Sequence, residues 1–141
     1  MIEYKAPLGN AGLNYPIKQL TVDLTSADFT KLNSIPLIIL PANPIVAYVP
    51  LNIIIKFENI NWPIGYVAYF NNQAFTGAVY WNITRDIFRN SGISWSSAPY
   101  VSVNQPSTRL NTTLTLTADS DNSIPSFSQF IITLTYIEYT Y

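Results

Sequence analysis

From Ile45 to Phe57 the chain reads "IVAYVPLNIIIKF". Its odd positions, Ile45, Ala47, Val49, Leu51, Ile53, Ile55 and Phe57, are all apolar, while Tyr48, Pro50, Asn52 and Lys56 fall between them. Side chains of a strand alternate between its two faces, so this period of two predicts one long half-buried strand with the odd positions inward. Pro50 has no amide hydrogen to give to a ladder, which predicts a bend, a bulge or a sheet edge at that point.

The same period returns in "FSQFIITLTYIEYTY", where Phe130, Ile132, Leu134 and Tyr136 alternate with Thr133 and Thr135. It returns again in "RLNTTLTLTAD", where Leu110, Leu114 and Leu116 stand in phase against Asn111, Thr113, Thr115 and Thr117. Shorter apolar runs predict strands over 17–24, 35–40, 66–70, 78–83 and 98–103, bounded by Pro, Gly, Asn and Ser. Helical signal is confined to 26–32, which Thr25 and Asp28 can cap reciprocally, and to "TRDIFRN" at 84–90. Neither is long enough to form a layer. Eight short strands and ten prolines predict an all-β fold: an antiparallel two-sheet sandwich, jelly-roll-like, over residues 17–141. Residues 1–16 carry Pro7, Gly9, Gly12 and Pro16 without periodicity and read as an extended N-terminal arm.

Composition supports a packed domain. The chain has 141 residues, 48% of them hydrophobic and only 11% charged, far from the low-hydrophobicity, high-charge composition of disordered chains. A domain of this length buries roughly 68–70% of its unfolded surface, enough for one core. The net charge is -1, and the few cations, Lys5, Lys18, Lys31, Lys56, Arg85, Arg89 and Arg109, are scattered. No basic stripe is available to follow a phosphate backbone, so nucleic acid is not an expected partner. No apolar stretch approaches the 18 or so residues of a spanning helix, and "MIEYKAPLGNAGLNYP" has an acid near its start and no apolar core, unlike a secretory signal. Neither a membrane partner nor export by that route is expected.

Candidate chemistry is sparse. With no cysteine and no histidine, thiol and Ser-His nucleophiles, thiolate zinc sites and histidine metal ligation have no residues to use. Carboxylates remain: Glu3, Asp23, Asp28, Glu58, Asp86, Asp119, Asp121 and Glu138. A glycosidase would need two of them facing each other across a sugar, whereas Asp more often satisfies turns and caps. "DSDNS" at 119–123 opens like a calcium loop, but its sixth and twelfth positions are Ile124 and Phe130 rather than Gly and Glu, so the motif fails. The five glycines form no phosphate-cradling pattern, and "NIT" and "NTT" match the glycosylation acceptor with no secretory context. The expected reading is no enzyme, no cofactor and no metal.

The aromatic residues are the remaining candidates for binding. Trp62, Tyr66, Tyr69, Trp81, Trp95 and Tyr100 cluster in the middle third of the chain among Asn- and Ser-rich turns. Trp81, in phase with Val79 and Ile83, reads as core. Trp62 in "NINWPIG" and Trp95 in "GISWSSAP" are flanked by turn residues and fit core cover and exposed contact equally. Trp62, Tyr66, Trp95 and Tyr100 are therefore the candidate glycan or interface contacts. A second candidate is an edge strand, Leu37, Ile38, Ile39 and Leu40, fenced by Pro36 and Pro41. Proline is tolerated at strand ends and edges, and an edge is where an arm from another subunit can add a strand.

Three blocks of the chain, "KQLTVDLTSADFTKLNSIPLIILPA", "YVPLNIIIKF" and "FIITLTYIEYTY", resemble a recurring type of small tailed-bacteriophage virion protein. In that type a Leu-Thr-Ser-Ala opening leads to a Leu-Asn-x-x-Pro strand, a Pro-Ala loop and a closing strand ending on tyrosine. The Pro-Ala loop commonly continues with glycines, whereas this one continues "NPIVAY". The resemblance implies a non-catalytic all-β subunit of the virion: a capsid auxiliary or decoration protein, or a piece of head fibre or tail. It also implies synthesis in the bacterial host cytoplasm and many copies, with the chain itself, as a homo-oligomer such as a trimer, and the major capsid protein as partners. A carbohydrate-binding sandwich is the alternative, carried by the aromatic residues.

Overall fold

A computed structural model describes residues 16–72, 79–88, 95–97 and 111–140. Among these residues there are eight strands: β1 (Ile17–Asp23), β2 (Leu37–Leu40), β3 (Val46–Glu58), β4 (Ala68–Asn72), β5 (Val79–Ile83), β6 (Trp95–Ser97), β7 (Leu114–Ala118) and β8 (Gln129–Thr140). They form two four-stranded sheets, ordered β1-β8-β3-β6 and β2-β7-β4-β5, with every neighbouring pair antiparallel. Of consecutive strands only β4 and β5 are neighbours; each of the other steps along the chain crosses to the opposite sheet. This is the interleaved order of a jelly roll, two Greek keys wrapped into a sandwich. The expected arm and the expected strand at 98–103 lie outside the described residues.

The core is what strand alternation dictates. Phe130, Ile132, Leu134 and Tyr136 of β8 and Ile53, Ile55 and Phe57 of β3 are buried from one sheet, and Leu114, Leu116 and Ala118 of β7 with Phe70 and Trp81 of β4 and β5 from the other, in one core cluster. Trp81 lies fully inside, as its phase with Ile83 requires. Each such side chain contributes about 1.5–3 kcal/mol by leaving water.

The long strand differs from its expected face in one half. Register with β8 runs Phe57↔Phe130, Ile55↔Ile132 and Ile53↔Leu134, but then jumps from Asn52↔Thr135 to Pro50↔Tyr136, leaving Leu51 unpaired. This bulge is the irregularity expected at Pro50, and it has a consequence the odd-position count missed. One inserted residue moves every side chain beyond it to the other face. Val46, Tyr48 and Pro50 are therefore buried, Val49 and Leu51 are only half-buried, and Ile45 is exposed; Ala47, also fully buried, stands outside the core cluster. The odd positions are the inward ones only from Ile53 onward.

The loops obey local chemistry. After β1, Thr25 and Asp28 form a capping box on a single 3-10 turn, Ser26–Phe29: the Thr25 amide donates to Asp28 Oδ2 at 2.7 Å. A second 3-10 turn spans Arg85–Phe88. Both are shorter than the helical segments expected at 26–32 and 84–90, as befits pieces that only connect strands.

Candidate functional site

Trp62 and Tyr66 are brought together by the turn between them. Gly65 has φ +82, and the Tyr66 amide donates to the Pro63 carbonyl at 3.3 Å, closing a turn that needs a residue without a Cβ at its third position. The exposed tip is Ile64, at 84% exposure. The turn folds Trp62 inward, where its Nε1 donates to the Tyr66 carbonyl at 2.8 Å and its ring meets Phe29 edge-on at 5.8 Å. Phe29 also meets Phe127 and Phe130 edge-on, and Trp62 leans on Phe88 at 4.8 Å.

Trp62 and Tyr66, two of the four candidate contacts, are thus core cover rather than surface contacts of the folded subunit, with 3% and 4% of their surface exposed. Indole and phenol are buried here because each polar atom has a backbone partner. Trp62 has the Tyr66 carbonyl, and the Tyr66 hydroxyl reaches the Phe29 carbonyl at 3.5 Å. Burial, with the Asp121 and Asp119 carboxylates adding to it, pushes the Tyr66 phenol up to about 12. Trp95 opens β6 in register with the inward-facing Ile55; its side chain and Tyr100 lie outside the described residues.

Four of the acids, Asp28, Asp119, Asp121 and Glu138, are engaged by neighbouring groups. Asp28 caps its turn; Asp119 Oδ1 accepts from the Val67 amide; Asp121 accepts from the Asn33 amide and the Ser34 hydroxyl, both at 2.8 Å. The would-be calcium loop is therefore a clasp between the 31–34 turn and the start of β4. Glu138 pairs with Lys18 at 3.0 Å, and that hydrogen bond raises the lysine's affinity for its proton. Among the described residues no group of three acids converges as a metal site would require, and no helix is long and apolar enough to cross a membrane.

Two surface features remain. The first is a cleft of roughly 470 Å³ lined by Ile60, Asn61, Trp62, Arg85, Asp86 and Phe88, with the charged pair at its rim and the aromatic rings at its floor. The second is the pair of long-sheet edges. β2 is an edge strand of its sheet, four residues long, with a register break between Ile38 and Leu40, Pro36 just before it and Pro41 just after it. Among the described residues β1 is an edge strand of the other sheet, seven residues long and in unbroken register with β8 from Ile17↔Ile137 to Asp23↔Ile131.

Beside the middle of β1 the outer sheet face is uncharged over two rows, and the next row carries Asp23 and Lys56 on either side of Ile131. Gln19, Thr135 and Asn52 form one cross-strand row, and Thr21, Thr133, Ile54 and Ser96 the next. These rows are tied by hydrogen bonds, Gln19 to Thr135 at 3.2 Å and Ser96 to Asn52 at 3.2 Å. The edge status of β1 was not legible in the sequence, because it depends on which distant strand claims its other side. Its lack of proline was the one available signal.

Comparisons with protein-family models, with curated proteins and with solved structures found no match.

Proposed function

We propose that this chain is a structural subunit of a bacteriophage virion, a capsid auxiliary or decoration protein built into the particle in many copies. The observation that carries the reading is where the family-like blocks fall. The first block, 18–42, runs from β1 through the capped turn into β2 at the edge of the other sheet, and the other two lie in β3 and β8, which with β1 are adjoining strands of one sheet in a jelly-roll order. Viral capsid proteins and lectins both use that double-sheet architecture; fold alone does not choose a function, so the blocks and the fold support the reading together. A subunit of this kind needs surfaces rather than reactive groups, and the acids bound into caps and turns suit that role. Mass spectrometry of purified particles should find the chain at a fixed stoichiometry to the major capsid protein; particles that lack it would overturn the proposal.

The cleft beside Trp62 favours a second reading, glycan attachment. Arg85, Asp86 and Asn61 can offer donors and acceptors to sugar hydroxyls above an aromatic floor. A glycan array with no hit, or a hit unaffected by Arg85→Ala, removes it.

A further inference from the structure

Sheet edges carry unpaired backbone donors and acceptors, and proteins guard them with proline, bulges, charge or brevity. β2 has three of these guards: it is short, it is broken in register, and prolines stand at both ends. β5 has a register break against β4, and β6 is three residues long. β1, "IKQLTVD", has no proline and no bulge, and its lysine is drawn back across the sheet to Glu138. Among the described residues its outer side pairs with nothing, and Ile17 at its start is 67% exposed.

We propose that β1 is the self-association edge of this protein, pairing antiparallel with β1 of a second copy about a two-fold axis at Leu20. The site rests on the reading of the chain as a self-assembling subunit and locates the contact. The occupant is argued from the strand itself. For the two sheets to continue as one, outward residues must oppose outward residues, which restricts the axis to a residue position. Placed at Lys18 or Asp23, it would set like charges face to face. Placed at Leu20 it pairs the whole strand: Ile17 with Asp23 of the other copy, Lys18 with Val22, and Gln19 with Thr21. No like charges meet directly across the seam, where the uncharged Gln19 and Thr21 of the two outer faces stand at its centre and each Asp23 lies opposite an Ile17. Such an isologous contact closes on itself and leaves no free copy of the same edge.

Light scattering of the full chain over a concentration series should show a reversible dimer step. Gln19→Lys combined with Thr21→Lys sets lysines opposite each other twice per interface and should weaken that step about ten-fold. Gln19→Lys combined with Thr21→Glu sets opposite charges in the same places and should restore it. Both positions are exposed on the outer face, so circular dichroism and melting should show all variants folded. Because the chain has no cysteine, Leu20→Cys should form a disulfide-linked dimer on oxidation, the residue on the axis being within disulfide reach of its own copy. An oligomer indifferent to the double-lysine variant would overturn the β1 site and leave the assembly reading standing. A wild-type chain monomeric at every concentration would overturn both.

Discussion

Trp62 Nε1 donates to the Tyr66 carbonyl at 2.8 Å, and the two rings meet edge-on at 5.4 Å, so a four-residue turn is locked by its own flanking aromatic residues. The lock explains why two residues that looked suited to binding lie inside. Trp62→Phe keeps a ring in the core but leaves the buried carbonyl without its donor and a void where the larger indole stood. The expected loss is about 2 kcal/mol, read as a lower denaturation midpoint with an unchanged slope.

Gly65 closes the same turn at φ +82 with open space where a Cβ would point. Gly65→Ala therefore costs backbone strain and nothing in contacts, about 1 kcal/mol. A larger loss on thermal melting would mean that the position does more than turn the chain.

The Tyr66 phenol gives the fold an alkaline limit. Its folded value, about 12, lies above the ordinary value near 10, so the folded state holds the proton that the unfolded state releases. Stability is complete below pH 10 and falls as pH climbs from 10 toward 12, by ~2 kcal/mol if Tyr66 acts alone. Tyr48 and Tyr136 are pushed the same way by burial and by Glu138 and add to the fall. Tyr66→Phe should flatten this limb while costing less than about 1 kcal/mol at pH 7, since its hydroxyl bond is a long 3.5 Å. Denaturation midpoints across pH 8–12 check the slope.

Leu51 is the extra residue that lets both halves of β3 match β8. Deleting it makes Asn52↔Thr135 and Pro50↔Tyr136 consecutive pairs of a regular ladder, so Val46, Tyr48 and Pro50 keep their inward faces and only the bulge and the half-buried Leu51 side chain are lost. The expected result is a folded protein with a loss of about 1–2 kcal/mol, while Leu51→Thr, which keeps the bulge, should stay within about 1 kcal/mol. Denaturation midpoints check both losses, and a deletion variant that fails to fold would show that the bend of the bulge itself is required.

The capping box is the smallest of these devices. Asp28→Ala removes the acceptor for the Thr25 amide and should cost about 1 kcal/mol, a few degrees of melting temperature for a domain of this size.

What the sequence disclosed was local. The period of two in β3, β7 and β8, the Thr25–Asp28 cap and the irregularity at Pro50 all follow from neighbours along the chain, and each has its counterpart in the structure. The facing of Val46–Pro50 was misread because a bulge is a fact about two strands, and β8 lies some eighty residues away. Trp95–Ser97 looked like turn because "GISWSSAP" offers only three pairing residues between its breakers, yet β3 recruits them. Trp62 and Tyr66 stayed open between core cover and exposed contact because Pro63 and Gly65 mark a turn. A turn can still point its flanks inward when backbone carbonyls there accept their polar atoms. Which strands end at an edge is set by pairing across the whole fold, so the contrast between β1 and β2 emerged only with the topology.

The placing of β8 between β1 and β3 also has a consequence in time. During synthesis β1 and β3 leave the ribosome long before Gln129–Thr140, the strand that joins them, exists. Until then β1 has no native partner among the described strands and β3 has only the three residues of β6, and loop closure over more than a hundred residues separates β1 from β8. Such long-range pairing makes for slow, late folding. The first sheet is thus completed only after translation has passed Thr140, and a nascent chain arrested before Gln129 should be digested by protease along β1 and β3 alike.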